Sequence, residues 1–236
     1  MDPVRDTLAF LSNHPPFATV EASTRKIVAS HCRAVTRRSG EAIFEEGDPC
    51  RALYILAVGR VKCVRANAEG REQILKVFEK PGDIFCATSA FSTGAHIVTA
   101  QAMSDAQLYA VEVGTMKRVA LEHPALALAL MTTTGEQMRS LVSLADDLSL
   151  KTATARVAKL LSERARAVGG GAPVRLRRAE LREDDIAAQV GTVRVHVSRS
   201  LKALATMGAI MLERDTIRIN DVQALDAFLH AVAPPR

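Results

Sequence analysis

The chain has 236 residues, 31 Lys and Arg against 26 Asp and Glu, and 48% hydrophobic side chains, enough for two globular domains that each bury a core. No apolar run approaches the roughly 18 residues of a membrane span. The start, MDPVRDTLAFLSNHPP, lacks the basic-then-apolar order of a secretion signal, so a cytoplasmic protein with no membrane partner is expected. The basic excess is local: from Lys151 onward there are 15 Lys and Arg against 9 Asp and Glu, net +6, which leaves the first 150 residues at 16 against 17, net −1.

Residues 40–113 alternate apolar and polar positions in short runs, among them ALYILAVGRVKCVRA, REQILKVFEKPGD and AQLYAVEV. Gly47-Asp48-Pro49, Gly59, Glu69-Gly70 and Pro81-Gly82-Asp83 punctuate these runs as turns. The pattern predicts an antiparallel roll or barrel of about eight strands around room for one small ligand. If Lys62 points to water, Val61 and Cys63 point inward.

From Ala125 to Leu148 there is no proline, and Met131, Thr134, Met138, Leu141, Ala145 and Leu148 recur at alternating steps of three and four. These are heptad core positions. The stripe predicts a parallel homodimer, with packing against the protein's own body as the alternative.

A basic helix over residues 152–168 follows, then Gly169 to Gly171 and Pro173 as a loop. REDDIAAQVGTVRVHVSRSLKALATMG, Arg182 to Gly208, reads as two amphipathic helices joined by a glycine turn. Ile186, Ala187 and Val190 share the apolar face of the first; Val193, Val197, Leu201 and Leu204 share that of the second. Glu183, Asp184 and Asp185 favour a helix N-terminus, Gly191 a C-terminal stop, and Thr192 is placed to cap the second helix. Two β-prone runs, Ile210 to Leu212 and Thr216 to Ile219, then flank a turn and predict a hairpin wing. A winged helix-turn-helix reads duplex DNA in the major groove with its second helix. Thr192, Arg194, His196, Ser198, Arg199 and Lys202 are the expected groove contacts, with Arg194 and Arg199 as base readers and Arg214 and Arg218 as phosphate contacts from the wing. A surface helix with solvated charges is the alternative, but it explains no wing. A dimer would place two such units on adjacent half-sites of a pseudo-palindromic duplex.

Cys32, Cys50, Cys63 and Cys86 are the chemical handle of the N-terminal part. Thiolates take soft metals or iron-sulfur clusters and oxidise reversibly. No Cys-x-x-Cys pair occurs, which argues against a structural zinc knuckle. Cys63 and Cys86 are expected near the roll's pocket with Cys50 or Cys32 able to join; the alternative is four small buried hydrophobes. His96, on the expected pocket wall, is the best histidine for an axial haem ligand, ahead of His14 and His31, with Cys86 a further choice. Neither a nucleophile-base-acid set, nor a phosphate-cradling loop, nor His-Glu-x-x-His is present, so the sequence points away from an enzyme.

The segments FEEGDP, LYILAVGRVKCV, EGREQILKVFEKPGDIF and GTVRVHVSRSLKAL, in this order, resemble the bacterial cyclic-AMP receptor protein and fumarate-nitrate regulator family over nearly the whole chain. The resemblance implies an α+β chain with an N-terminal antiparallel β-roll, cupin-like and of the cyclic-nucleotide-binding-domain type, then a long dimerisation helix, then a winged helix-turn-helix. Residues 1–124, 125–150 and 151–236 are the corresponding parts. It also implies an effector-controlled homodimeric transcription factor that works with RNA polymerase. The family's recognition helix commonly carries Arg, Glu and a second Arg; Arg194 and Arg199 match, whereas Val195 stands in the glutamate place. Cyclic-nucleotide-binding members use a glycine-glutamate-leucine turn and an Arg-Ser pair. Here Phe85 to Thr88 and His96 to Thr99 stand in those places, and no arginine lies between Arg71 and Arg118. A buried phosphate would then lack a compensating guanidinium, which argues against cyclic AMP. Oxygen-sensing members bring clustered cysteines from an N-terminal extension, and this chain has none before Cys32. A cysteine-held soft metal, cluster or redox signal is the leading expectation, with haem, another small molecule or a vestigial sensor as alternatives.

Overall fold

The computed structural model describes residues 3–92, 94–169 and 173–230. Helices α1 (Pro3–Asn13) and α2 (Ala22–Ser30) precede strands β1 (Arg33–Arg37), β2 (Ala42–Phe44), β3 (Ala52–Val58), β4 (Val61–Ala66), β5 (Glu72–Phe78) and β6 (Ile84–Phe85). The short α3 (Ala87–Phe91), strands β7 (Thr99–Ala102) and β8 (Ala106–Glu112), and helices α4 (Val113–Glu122) and α5 (Pro124–Leu150) follow. The C-terminal part has α6 (Ala153–Val168), β9 (Val174–Arg177), α7 (Glu183–Val190), α8 (Arg194–Thr206), β10 (Ile210–Leu212), β11 (Thr216–Ile219) and α9 (Val222–Asp226). The chain divides into two compact units, Met1–Arg65 with Leu75–Leu141, and Ala66–Ile74 with Val142–Arg236.

In the first unit two antiparallel sheets, ordered β1-β8-β3-β6 and β2-β7-β4-β5, form the expected roll of eight strands. The period-two pattern of β3 sorts its side chains. Ala52, Tyr54 and Leu56 face the roll interior with Phe44, Val61, Phe78, Phe85 and Leu108, while Leu53 and Ile55 pack under α1, α2, α4 and the start of α5. Each fully buried Leu, Ile or Phe contributes about 1.5–3 kcal/mol, so both faces of this sheet hold the unit together. Gly59 joins β3 to β4 at φ +100°, and a Cβ there would collide with the Asp105 carbonyl, which is why glycine stands at this junction. Lys62 does not point to water as expected. It is buried beside Val61, Cys63 and Val64, because the strand is covered on both faces. Cys63 does join the roll interior.

In the second unit Thr152 caps α6, its Oγ1 accepting from the Ala155 N–H at 3.2 Å. Val157, Ala158, Leu161 and Ala165 on α6 meet Ile186, Ala187 and Val190 on α7 and Val197, Leu201 and Leu204 on α8 in one core. The hairpin β10-β11 occupies the residues expected of it, and β9 adds a third strand to the sheet, ordered β10-β11-β9. The sequence reading missed β9. Val174 and Leu176 turn inward from it, and Arg175 and Arg177 outward. Gly169 ends α6 at φ +137°; Gly170 and Gly171, the rest of the expected loop, lie outside the described residues. Two details of the turn before α8 differ from expectation. The N-cap is Val193, without a side-chain cap bond, whereas the Thr192 hydroxyl meets His196 Nδ1 at 3.2 Å. Val193 is also 43% exposed and takes no part in the core, because it sits outside the helix, where the 3.6-residue period no longer directs it.

Candidate nucleic-acid interface

The helix-turn-helix is positioned from below. Gly191 ends α7 in the left-handed conformation at φ +64°, and a Cβ there would collide with the Leu148 side chain. Arg156 of α6 donates to the carbonyls of Val190 (2.6 Å), Gly191 (3.3 Å), Lys151 (2.7 Å) and Asp147 (3.4 Å), fixing the turn between the two helices. Burial alone would raise the Asp147 carboxyl. Hydrogen bonds from Lys151 and Lys159 outweigh that and hold it below the usual carboxylate range. The start of α6 is thus charge-locked next to the turn that aims α8.

On α8, Val197, Ser200, Leu201 and Leu204 are buried, which leaves Arg194, Val195, His196, Arg199 and Lys202 exposed and Ser198 half-buried. Thr192 is half-buried at the turn. Arg194 is not free: its guanidinium lies 3.7 Å from both Glu183 and Asp184 on α7. Among the described residues Arg199 and Lys202 have no ion pair, and their charge is available to an incoming group. In the wing Arg214 is exposed at the tip, while Arg218 is drawn back onto Asn220 (Nε to Oδ1, 3.0 Å) and towards Glu213 at 4.0 Å. The Thr216 hydroxyl and Arg175 hold the Glu213 carboxyl below its ordinary range. Arg175 and Arg177 of β9 add exposed positive charge to the wing sheet. The surface pairs a basic helix face with a wing sheet on which Arg175, Arg177 and Arg214 are exposed, the charge arrangement that positions a helix in the major groove and a wing on the backbone.

The helix α5 buries Leu126, Ala129 and Leu130 near its start. Further along, Met131, Met138 and Leu141 are exposed, as is Ala145, whereas Thr134 and Leu148 are half-buried. Leu148 packs against the Gly191 turn, a use of this heptad position that its spacing does not reveal.

The cysteines are less gathered than their expected role requires. Cys32 and Cys50 belong to the cluster under the helices, Cys63 to the roll interior, and Cys86 touches both. Cys86 lies within electrostatic reach of Cys63 and Cys50. Among the described residues no group of three or more His, Cys, Asp or Glu side chains is assembled to hold a metal ion. Burial raises all four thiols, Cys32 and Cys63 to about 12, so they remain protonated at neutral pH. This donor set does not fit a soft metal or an iron-sulfur cluster. Cys86 caps α3 at φ +76° and is the one non-glycine residue with positive φ among the described residues.

His96 is 4% exposed and stacked on Phe44 with ring centroids 3.6 Å apart. Its Nδ1 has no hydrogen-bond partner, and burial lowers its pKa, with Asp48 opposing. His14 and His31 are engaged with their own helices, Nδ1 lying 2.8 Å from the Phe10 and Ile27 carbonyls respectively. Phe44, Tyr54, Phe78, Phe85 and His96 form a continuous aromatic chain through the roll interior, where a ligand pocket was expected. A separate open groove of about 660 Å³, lined by Phe91, Lys117, Leu121, Leu130, Met131 and smaller side chains, lies between α3, α4 and α5. No described helix is long and apolar enough to cross a membrane.

Residues 34–123 match the cyclic nucleotide-binding domain, and residues 155–228 match the Crp-like helix-turn-helix domain. The cyclic AMP receptor protein of Thermus thermophilus is 30% identical over 194 residues, covering 82% of this chain and 87% of that protein. A CRP-like cAMP-activated global transcriptional regulator of Mycobacterium tuberculosis is 28% identical over 212 residues, covering 89% and 93%. The solved structure of FixK2 from Bradyrhizobium japonicum superposes with a TM-score of 0.73 at 25% identity, over 86% of this chain and 99% of that one. These likenesses point to a transcription regulator rather than an enzyme. Carrying a cyclic-nucleotide-binding roll and a Crp-like helix-turn-helix in that order, the chain belongs to the cyclic-AMP receptor protein and fumarate-nitrate regulator family of DNA-binding transcription regulators.

Proposed function

We propose that this chain regulates transcription as a homodimer, reading a pseudo-palindromic operator with two copies of α8 and acting together with RNA polymerase, under a signal other than cyclic AMP. The observation that carries the DNA-reading part is the exposed face of α8, with Arg199 unpaired beside a basic wing. The dimer is supported by the apolar row Met131, Met138 and Leu141, left uncovered on α5 of the protomer. Arg199→Ala is expected to cost about 1–3 kcal/mol on the operator and to relax base choice at one position. Arg214→Ala should weaken operator and random duplex alike, since a phosphate contact carries no sequence information. Fluorescence anisotropy on both duplexes checks this. Equal losses on operator and random DNA for Arg199→Ala contradict its role as a base reader.

Two relatives are named for cyclic AMP. In this chain the span between Arg71 and Arg118 holds no arginine for the phosphate, and stacked aromatic side chains cross the roll interior. For the signal we favour reversible thiol oxidation centred on Cys86, which packs against both the cluster that holds Cys50 and the roll interior that holds Cys63. A disulfide between Cys86 and either neighbour releases two protons and two electrons to a peroxide-class oxidant, which leaves as water. Equal operator affinity before and after peroxide treatment would remove this reading. A second reading rests on the groove between α3, α4 and α5, whose apolar lining and Lys117 suit an apolar organic effector. It predicts indifference to Cys63 and Cys86 substitution.

A further inference from the structure

We infer that Val195 reads the 5-methyl group of a thymine in each half-site, next to the base that Arg199 reads. The inference rests on the DNA-reading assignment of α8. Val195 is 57% exposed in the first turn of that helix, although Val197, Leu201 and Leu204 take all the burial the helix-turn-helix core offers. Packing within the protomer does not account for an exposed valine here, and helix propensity disfavours a β-branched side chain. Val195 and Arg199 are four residues apart, so they stand one above the other on one face, with Ser198 and Lys202 continuing the stripe. The neighbouring Arg194 leans back onto Glu183 and Asp184, so its guanidinium is drawn off this face.

The major groove presents one apolar group, the thymine methyl; every other edge offers a donor or an acceptor. A valine pressed onto cytosine, adenine or guanine dries a polar group without replacing its hydrogen bond, whereas on thymine it buries methyl against methyl. Discrimination therefore works in both directions, for thymine and against the other bases. Four residues of helix rise about 6 Å, which places the thymine within about two base pairs of the Arg199 contact.

The test starts by selecting a duplex from a random pool with the full chain, then replaces each half-site thymine in turn by deoxyuridine, which removes only the methyl. At one thymine per half-site the wild-type protein is expected to lose about four-fold in affinity per methyl, about fifteen-fold when both half-sites are changed. Val195→Ala, whose shorter side chain leaves less apolar contact, should show a smaller deoxyuridine penalty than wild type. Val195→Glu should move the preference at that position to cytosine, whose N4 amino group a carboxylate accepts. Wild-type indifference to deoxyuridine at every position overturns the inference, and so does a deoxyuridine penalty that survives undiminished in Val195→Ala. Arg199→Ala on the same duplex separates the two levels. If it leaves the preference for operator over random DNA unchanged, the reading of α8 itself has failed; if it lowers that preference while deoxyuridine has no effect, only the Val195 assignment falls.

Discussion

Replacing Met138 by Asp should dissociate the proposed dimer. Met138 is 61% exposed on α5 of the protomer, so a partner helix docking on the heptad row removes up to about three-fifths of its surface from water. Full burial of a methionine is worth about 1.5–3 kcal/mol, so this share comes to about 1–2 kcal/mol per side chain. A two-fold axis counts each position twice, giving about 2–4 kcal/mol per dimer, or a rise of about thirty- to a thousand-fold in the dissociation constant. An aspartate adds the cost of bringing two carboxylates together in an apolar seam, which raises the dissociation constant further. Sedimentation equilibrium over a concentration series measures the constant directly. Met138→Leu serves as the control, since it keeps the seam apolar and should remain dimeric. An unchanged dissociation constant for Met138→Asp would refute the placement of the seam on this face of α5.

Other outcomes follow from the same geometry. Gly191→Ala puts a Cβ into a left-handed turn and against Leu148 and should cost about 1–2 kcal/mol, seen as a lower thermal midpoint of the DNA-binding unit. Cys63, raised from 9.0 to about 12, contributes stability that is complete below pH 9 and lost as pH rises towards 12. Urea midpoints should therefore fall across that window, and Cys63→Ala should lower the slope by up to about 1.4 kcal/mol per pH unit, leaving the share of the other raised thiols in place. His96 titrates below its ordinary 6.5, so its contribution holds above that pH and is lost as pH falls through the lowered folded value. His96→Phe keeps the stack on Phe44, removes an unpartnered buried nitrogen worth about 1 kcal/mol, and should flatten the acid limb of a stability profile. A steeper acid limb in that variant would show that the ring is not buried neutral.

The parts that could be read from the sequence were those in which several local signals agreed. For α7 and α8 the apolar period, the acidic first turn and Gly191 all point the same way, and the hairpin β10-β11 has its turn between two β-prone runs. The strand β9 is four residues long after a glycine run, too short for its alternation to stand out, and only its pairing with β11 defines it. Helix α5 was legible as a heptad, but its half-buried Leu148 depends on where the Gly191 turn comes to rest, a tertiary fact. The same holds for the α8 surface. Composition marks Arg194 and Arg199 as equals, and only the fold shows that Glu183 and Asp184 hold the first while the second is free. Lys62 followed strand alternation and was misplaced, because alternation places a side chain on a face without saying whether that face is covered. The cysteines were read by residue type. Their burial, which keeps them protonated, and the left-handed backbone of Cys86 arise from packing that no spacing pattern records.

The proposed regulator works through two copies of α8, each reading one half-site. Selection of bound duplexes from a random pool by the full-length chain, followed by sequencing, tests this directly. The predicted result is a two-fold symmetric motif whose half-sites are centred about one helical turn apart, lost from the selected pool when Arg199 is replaced by Ala. An asymmetric single site, or a pool no more enriched than with Arg199→Ala, would contradict it.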